Sequence, residues 1–290
     1  NSGTILTSPD GSSWNELPAP GTTLTNVTYA NGKFVAVGNS GTILTSPDGT
    51  TWTTRTSETT NAFSGITYGD GTFTAVGQGG IILTSSDGAT WTSRTSGTTN
   101  AFSGITYGDG TFVAVGEGGK ILTSSDGSAW TPRTSGTTSY LIGITQANGT
   151  FVTVGSSGTL LTSHDGSNWT SRTSGTSIDL RGVSYGNNTF VTVGGNGTIL
   201  TSNNDGNSWT SRTSGIGDHL SRVTRGNGTF VAVGNSGAIL TSSDEVMDNN
   251  SHVVGIETNQ ASLSINGSVT LKDNASISTD SGNVSLGNLD

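Results

Sequence analysis

Residues 41–52 read GTILTSPDGTTW, and nearly the same string returns as GIILTSSDGATW (80–91), GKILTSSDGSAW (119–130), GTLLTSHDGSNW (158–169) and GTILTSNNDGNSW (197–209). It also appears at the start of the chain as GTILTSPDGSSW (3–14) and late as GAILTSSD (237–244). All six tryptophans, Trp14, Trp52, Trp91, Trp130, Trp169 and Trp209, occupy one position of this string, at spacings of 38, 39, 39, 39 and 40 residues. A period of that length denotes a repeat architecture.

Each unit reads as four short strands. In the third full unit these are SGITYG (103–108), TFVAVG (111–116), KILTSS (120–125) and SAWTPR (128–133). The GDG at 69–71 and 108–110 is an Asp-Gly hairpin signal between the first two strands. Alternation along FVAVG puts Phe112, Ala114 and Gly116 on one face and Val113 and Val115 on the other. Both faces are apolar, so each sheet needs a cover on both sides. A radial stack of four-stranded blades supplies it, and the fold expected is an all-β propeller over residues 1–244.

The chain opens on strands three and four (residues 3–17), and its last unit supplies strands one to three (221–242). Joining the termini in one composite blade would close six blades and leave one strand-three copy, Gly237–Ser242, without a place. Seven blades is the alternative, with the missing inner strands supplied upstream of Asn1. Because Asn1 falls inside a repeat, the expectation is a processed chain or a fragment.

Composition fits this reading. The hydrophobic fraction is 30%, with 45 glycines among 290 residues, which suits many tight turns better than helices. The net charge is −9, and 11 basic residues offer no basic face for nucleic acid. No apolar run approaches a membrane span. There is no cysteine, hence no disulfide framework and no thiolate metal site.

The string Ser85-Ser86-Asp87-Gly88-Ala89-Thr90-Trp91 resembles the Asp-box of sialidase-type and related propellers, and in style the chain is similar to the propellers of photosystem II assembly factors. Most copies are one residue shorter than the usual box. The copy Ser202 to Trp209 has the full length, with Asn204 where the family has Asp. Such boxes occur in enzymes, lectins and scaffolds alike, so the resemblance speaks to architecture. Physically the motif is a turn: the carboxylates of Asp10, Asp48, Asp87, Asp126 and Asp165 accept backbone N–H groups, and the Trp anchors the outer strand. A Ca²⁺ role is the weaker alternative, since each turn offers one carboxylate. No cofactor is expected.

The sialidase resemblance implies an arginine triad, a Tyr with a Glu partner and an Asp acid. Tyr29, Tyr68, Tyr107 and Tyr185 share one repeat position, which reads as packing, and none of Glu16, Glu58, Glu117, Glu245 and Glu257 suggests such a pairing. His164, His219 and His252 have no metal-ligand spacing. The expectation is a protein that is not an enzyme.

Two sets of residues remain. Arg55, Arg94, Arg133, Arg172 and Arg212 each follow their Trp by three positions and form a belt along the outer strands. Either it is a solvated edge or a set of cross-blade ion pairs, or it binds anions or glycans. The other set comes from departures in the innermost strand and the loop before it. NAFSGITYG gives way to SYLIGITQA, SIDLRGVSYG and GDHLSRVTRG, introducing Asp179, Arg181, Asp218, His219, Arg222 and Arg225. Closure does not require these charges; either they are drift of the repeat, or they mark a candidate ligand or partner face.

After Asp244 the repeat stops. Residues 245–251 read as a linker, and 252–290 as a β-rich tail of short alternating segments, similar to β repeats of phage fibres and large bacterial surface proteins. Segments this short need the propeller, more chain beyond Asp290 or copies from other subunits to bury their stripe, and a homotrimeric stem is the preferred expectation. The reading is a binding or structural propeller of a larger virion-fibre or cell-surface protein, extracellular or on a virion, recognising a protein or glycan. A photosystem-assembly-like scaffold and a sialidase-like glycosidase are the alternatives.

Overall fold

The computed structural model describes residues 3–8, 13–18, 21–226 and 228–243. The linker at 245–251, the tail at 252–290, and Asp10 of the first turn lie outside the described residues. Six blades follow one another over residues 24–55, 63–94, 102–133, 141–171, 180–212 and 220–243. The first five are four-stranded antiparallel sheets in sequence order, and the sixth has three strands.

Blade three shows why the sequence folds this way. Its strands are Phe102–Gly108, Thr111–Gly116, Ile121–Ser124 and Thr131–Arg133. Strand one turns into strand two through Asp109 and Gly110 at φ +47° and +73°. This is the paired positive-φ turn that Asp-Gly favours, because its twist matches that of the strands. Blade five makes the same turn with Asn187 and Asn188, at φ +44° and +54°. The fourth strand is shorter than expected and starts after Trp130, which closes the preceding turn instead of lying in the strand.

The core lies in the joints between blades. Val35, Val37 and Ile43 of blade one pack against Ile66, Phe73, Ala75 and Leu83 of blade two. One joint further on, Val76 and Ile82 meet Ile105, Phe112, Ala114 and Leu122. Val113, Val115 and Ile121 then meet blade four. The alternation predicted two apolar faces; of these the Phe-x-Ala face of strand two looks back and the Val-x-Val face looks forward. Each large side chain buried there contributes about 1.5–3 kcal/mol.

The innermost strands approach closely because strand one is small where the next blade crosses it. A Cβ on Gly69 would sit 2.0 Å from the Tyr107 ring, so that ring lies flat on the preceding blade's backbone. Strand one also carries a bulge, between Phe102 and Gly104 in blade three. The bulged residue ties the joint: the Thr25 hydroxyl donates to Phe63 O at 2.7 Å, and the Ser103 hydroxyl to Leu141 O.

The composite blade does not form among the described residues. Ile5–Thr7 pairs only with Asn15–Leu17 as a two-stranded sheet, separate from the sheet of 220–243. Inner strands pack in the order of blades one to six, with no joint of similar extent between blade six and blade one. The repeat says that an Ile of strand three needs a neighbour, without saying which segment provides it.

Candidate functional site

One end of the ring carries the Ser-x-Asp-Gly turns. In blade two, Asp87 Oδ1 accepts the N–H groups of Ala89 and Thr90, both at 2.8 Å, and the Ser85 hydroxyl at 2.9 Å. The Ser85 oxygen in turn accepts Gly88 N–H, and the Trp91 indole donates to Gly88 O at 3.1 Å. These donors, the Thr90 and Ala89 amides foremost, hold the Asp87 carboxyl at about 2, below its ordinary 3.8. The equivalent amides of their own turns lower Asp48, Asp126 and Asp165. These carboxylates are engaged by their own turns. In blade five Asn204 takes over, accepting Ser208 N–H and the Ser202 hydroxyl. The inserted Asp205 instead reaches Asn148 of blade four at 2.7 Å.

The Arg belt is tied down as well. The Nε atoms of Arg55, Arg94, Arg133, Arg172 and Arg212 each donate to a strand-three threonine of the same blade at 2.8 Å. These arginines are half-buried. Their first partner is a hydroxyl rather than a neighbouring carboxylate, because the short fourth strand lays the guanidinium across strand three. Arg172 and Arg212 line two equivalent rim grooves of about 490 and 670 Å³, walled by Ser-Gly-Thr loops and the turns at 157–159 and 196–198.

The opposite end is different. There the turns between strands two and three meet the loops entering strand one, and one repeat position reads Thr23, Ala62, Ala101, Tyr140, Asp179 and His219 around the ring. It is small in blades one to three and large or ionisable in four to six. Tyr140 is 40% exposed. Asp179 accepts the Ser157 N–H of the blade-four turn at 3.0 Å and faces Arg181 Nη2 at 3.8 Å. Arg181 stands at the bulge position that holds a hydroxyl in blades one to three, and its Nε is buried without a hydrogen-bond partner. His219 is exposed, and its Nδ1 would come within 3.1 Å of a Cβ on Gly195.

Gly195 replaces Asn39, Gln78, Glu117 and Ser156 of the preceding turns, which leaves room for His219 and Ile178. Tyr140, Ile178 and Gly195 were not among the expected site residues. The departure of GGNG (194–197) from the repeat was a signal for Gly195, and those of SYLIGITQA and SIDLRGVSYG for Tyr140 and Ile178.

The six charged residues singled out from the sequence do not form one cluster. Asp179, Arg181, Asp218 and His219 lie at this end. Arg222 is exposed midway along strand one, its Nη1 donating to Ser221 O at 3.0 Å. Arg225 holds the tyrosine position, and its stem covers Gly186 of blade five much as Tyr107 covers Gly69. At about 3.3 Å per residue, Arg225 is some 15–20 Å from His219 along the strand.

Consecutive four-stranded sheets packed face to face and stepping through their innermost strands define a β-propeller. Residues 1–102 match a family model described as DUF6242 beta propeller domain. No curated protein matches the chain. Among solved structures it is similar to YCF48 bound to a D1 peptide, at 20% identity and TM-score 0.63, covering 77% of this chain and 78% of that one. YCF48 from Cyanidioschyzon merolae follows at 18% identity and TM-score 0.67, covering 82% and 88%. A catalytically inactive virginiamycin B lyase from Staphylococcus aureus matches at 16% identity and TM-score 0.72, covering 82% and 87%. At these identities the likeness is one of fold.

Proposed function

We propose that the chain is a non-catalytic propeller that binds a polypeptide on the end carrying Tyr140, Ile178, Asp179, Arg181, Asp218 and His219. One observation carries this reading: a single repeat position changes from Thr23, Ala62 and Ala101 to Tyr140, Asp179 and His219 in three successive blades. An aromatic ring, a carboxylate with a guanidinium beside it and an imidazole, spread over adjacent blades, suit an extended peptide. The ring and Ile178 can take an apolar side chain, while the charges and loop N–H groups take main-chain and polar groups. A structure of similar fold, YCF48, has been solved bound to a D1 peptide, which supports the class of ligand.

Within this reading the propeller is the recognition head of a larger fibre or surface protein of the Asp-box type, serving attachment or assembly, with residues 252–290 as its oligomerising stem. The test is a screen of the purified chain against a peptide array and a glycan array. Selected peptides should bind at least 10-fold more weakly to Asp179→Ala/His219→Ala and to Tyr140→Ala, and normally to Arg94→Ala. Binding confined to glycans, or lost only with Arg94→Ala, would move the site to the rim.

A further inference from the structure

Every joint from blade one to blade six repeats the same contacts, and the two outermost faces carry the same residues with those contacts missing among the described residues. The strand-one aliphatic that looks back is 6% exposed at Ile66 and 8% at Ile105, but 55% exposed at Val27 of blade one. On the forward face Val115 and Ile121 are fully buried, whereas Val233 and Ile239 of blade six are 40% and 63% exposed. Tyr29, at the position of Tyr107, is 60% exposed. A Cβ on Gly69, Gly108 or Gly186 would strike a side chain of the next blade, while one on Gly226 would meet nothing within 4 Å.

From these observations we infer that the space between blade six and blade one is a docking slot for a β-hairpin carrying this repeat's own strand-one and strand-two pattern. The contacts specify the guest residue by residue. Its strand-one Ile covers Val233 and Ile239, as Ile66 covers Val37 and Ile43. Its aromatic lies on Gly226. Its strand-two Val-x-Val covers Val27, as Val35 and Val37 cover Ile66.

The Asp-Gly turns agree with this register. A Cβ on Gly88 would touch Val35, on Gly166 Val113, and on Gly206 Val152, each a strand-two valine of the preceding blade. The same construction on Gly49 meets only Phe34 of its own blade. Ile5–Thr7 and Asn15–Leu17 pair as a hairpin whose sequence corresponds to strands three and four of a unit. Leu6 and Trp14 there are 51% and 58% exposed. An isolated two-stranded hairpin is marginal in water, so the guest orders on entering, with apolar faces on both sides.

The probe is a fluorescein-labelled peptide copying residues 99–118, TNAFSGITYGDGTFVAVGEG, titrated with the 290-residue chain and read by anisotropy. The expected result is saturable one-to-one binding that raises the melting temperature of the chain. Val27→Asp and Ile239→Asp, both at exposed positions, should weaken it at least 10-fold with unchanged circular dichroism. No saturable binding, equal binding of a scrambled peptide, or indifference to both substitutions would overturn the inference. So would concentration-dependent self-association abolished by Ile239→Asp, since the slot would then be filled by a second copy.

Discussion

The hexapeptide TFVAVG occurs at 111–116 and again at 229–234, each followed at the same distance by ILTSS. In blade three Val115 and Ile121 are fully buried; in blade six Val233 and Ile239 are 40% and 63% exposed. The local strands are alike, with the same pairing of strand two to strand three. What differs is the neighbour. In this molecule burial belongs to the joint between two blades and not to the blade, as expected where each unit contacts only its neighbours.

Substitutions at matched positions separate the two cases. Replacing Ile121 by Ala empties a filled joint and should cost about 2–5 kcal/mol in denaturant unfolding. Ile239→Ala should change stability by no more than about 0.5 kcal/mol. Equal losses would show that blade six is covered after all. A smaller difference is expected at the turns. Trp91→Phe removes the hydrogen bond to Gly88 O and should cost about 1 kcal/mol. Trp14→Phe, at a ring 58% exposed, should cost less.

The smallest effect is electrostatic. The Asp87 carboxyl is held at about 2 against an ordinary value of 3.8. A depressed folded-state value means that its contribution is complete above 3.8 and is lost as the pH falls toward 2. Asn204 fills the equivalent place in blade five with no ionisable group. Asp87→Asn should therefore flatten the fall of stability with acid, and Asn204→Asp should steepen it. Melting curves between those two pH values decide it. An unchanged slope in both variants would mean that the turn does not depend on the ionised form.

Much of the architecture was legible in the sequence because it rests on local rules repeated in each unit. The two-residue period in FVAVG set both faces, and Asp-Gly set the first turn. The constant Trp position set the phase. The closure was not legible, because it is a relation between segments whose strings are nearly identical; Ile5, Ile43 and Ile239 look alike to any local rule. The candidate site was half legible for the same reason. Asp179 and His219 were noticed as departures from the repeat, but so were Arg222 and Arg225. Only the position along strand one separates a loop-end residue from one that lies on the preceding blade's backbone. Gly195 was overlooked because a glycine within a glycine-rich repeat draws no notice until His219 and Ile178 are seen to need its space.

The central claim is that five joints are closed and that, among the described residues, the faces of blades one and six are open. The chain has no cysteine of its own, so single substitutions report local access directly. Val27→Cys and Ile239→Cys should react with a disulfide reagent within a few-fold of a free thiol, while Ile66→Cys and Ile121→Cys in the folded chain should react at least 100-fold more slowly. Protection of all four sites alike would contradict the account and mean that the ring is closed between blade six and blade one.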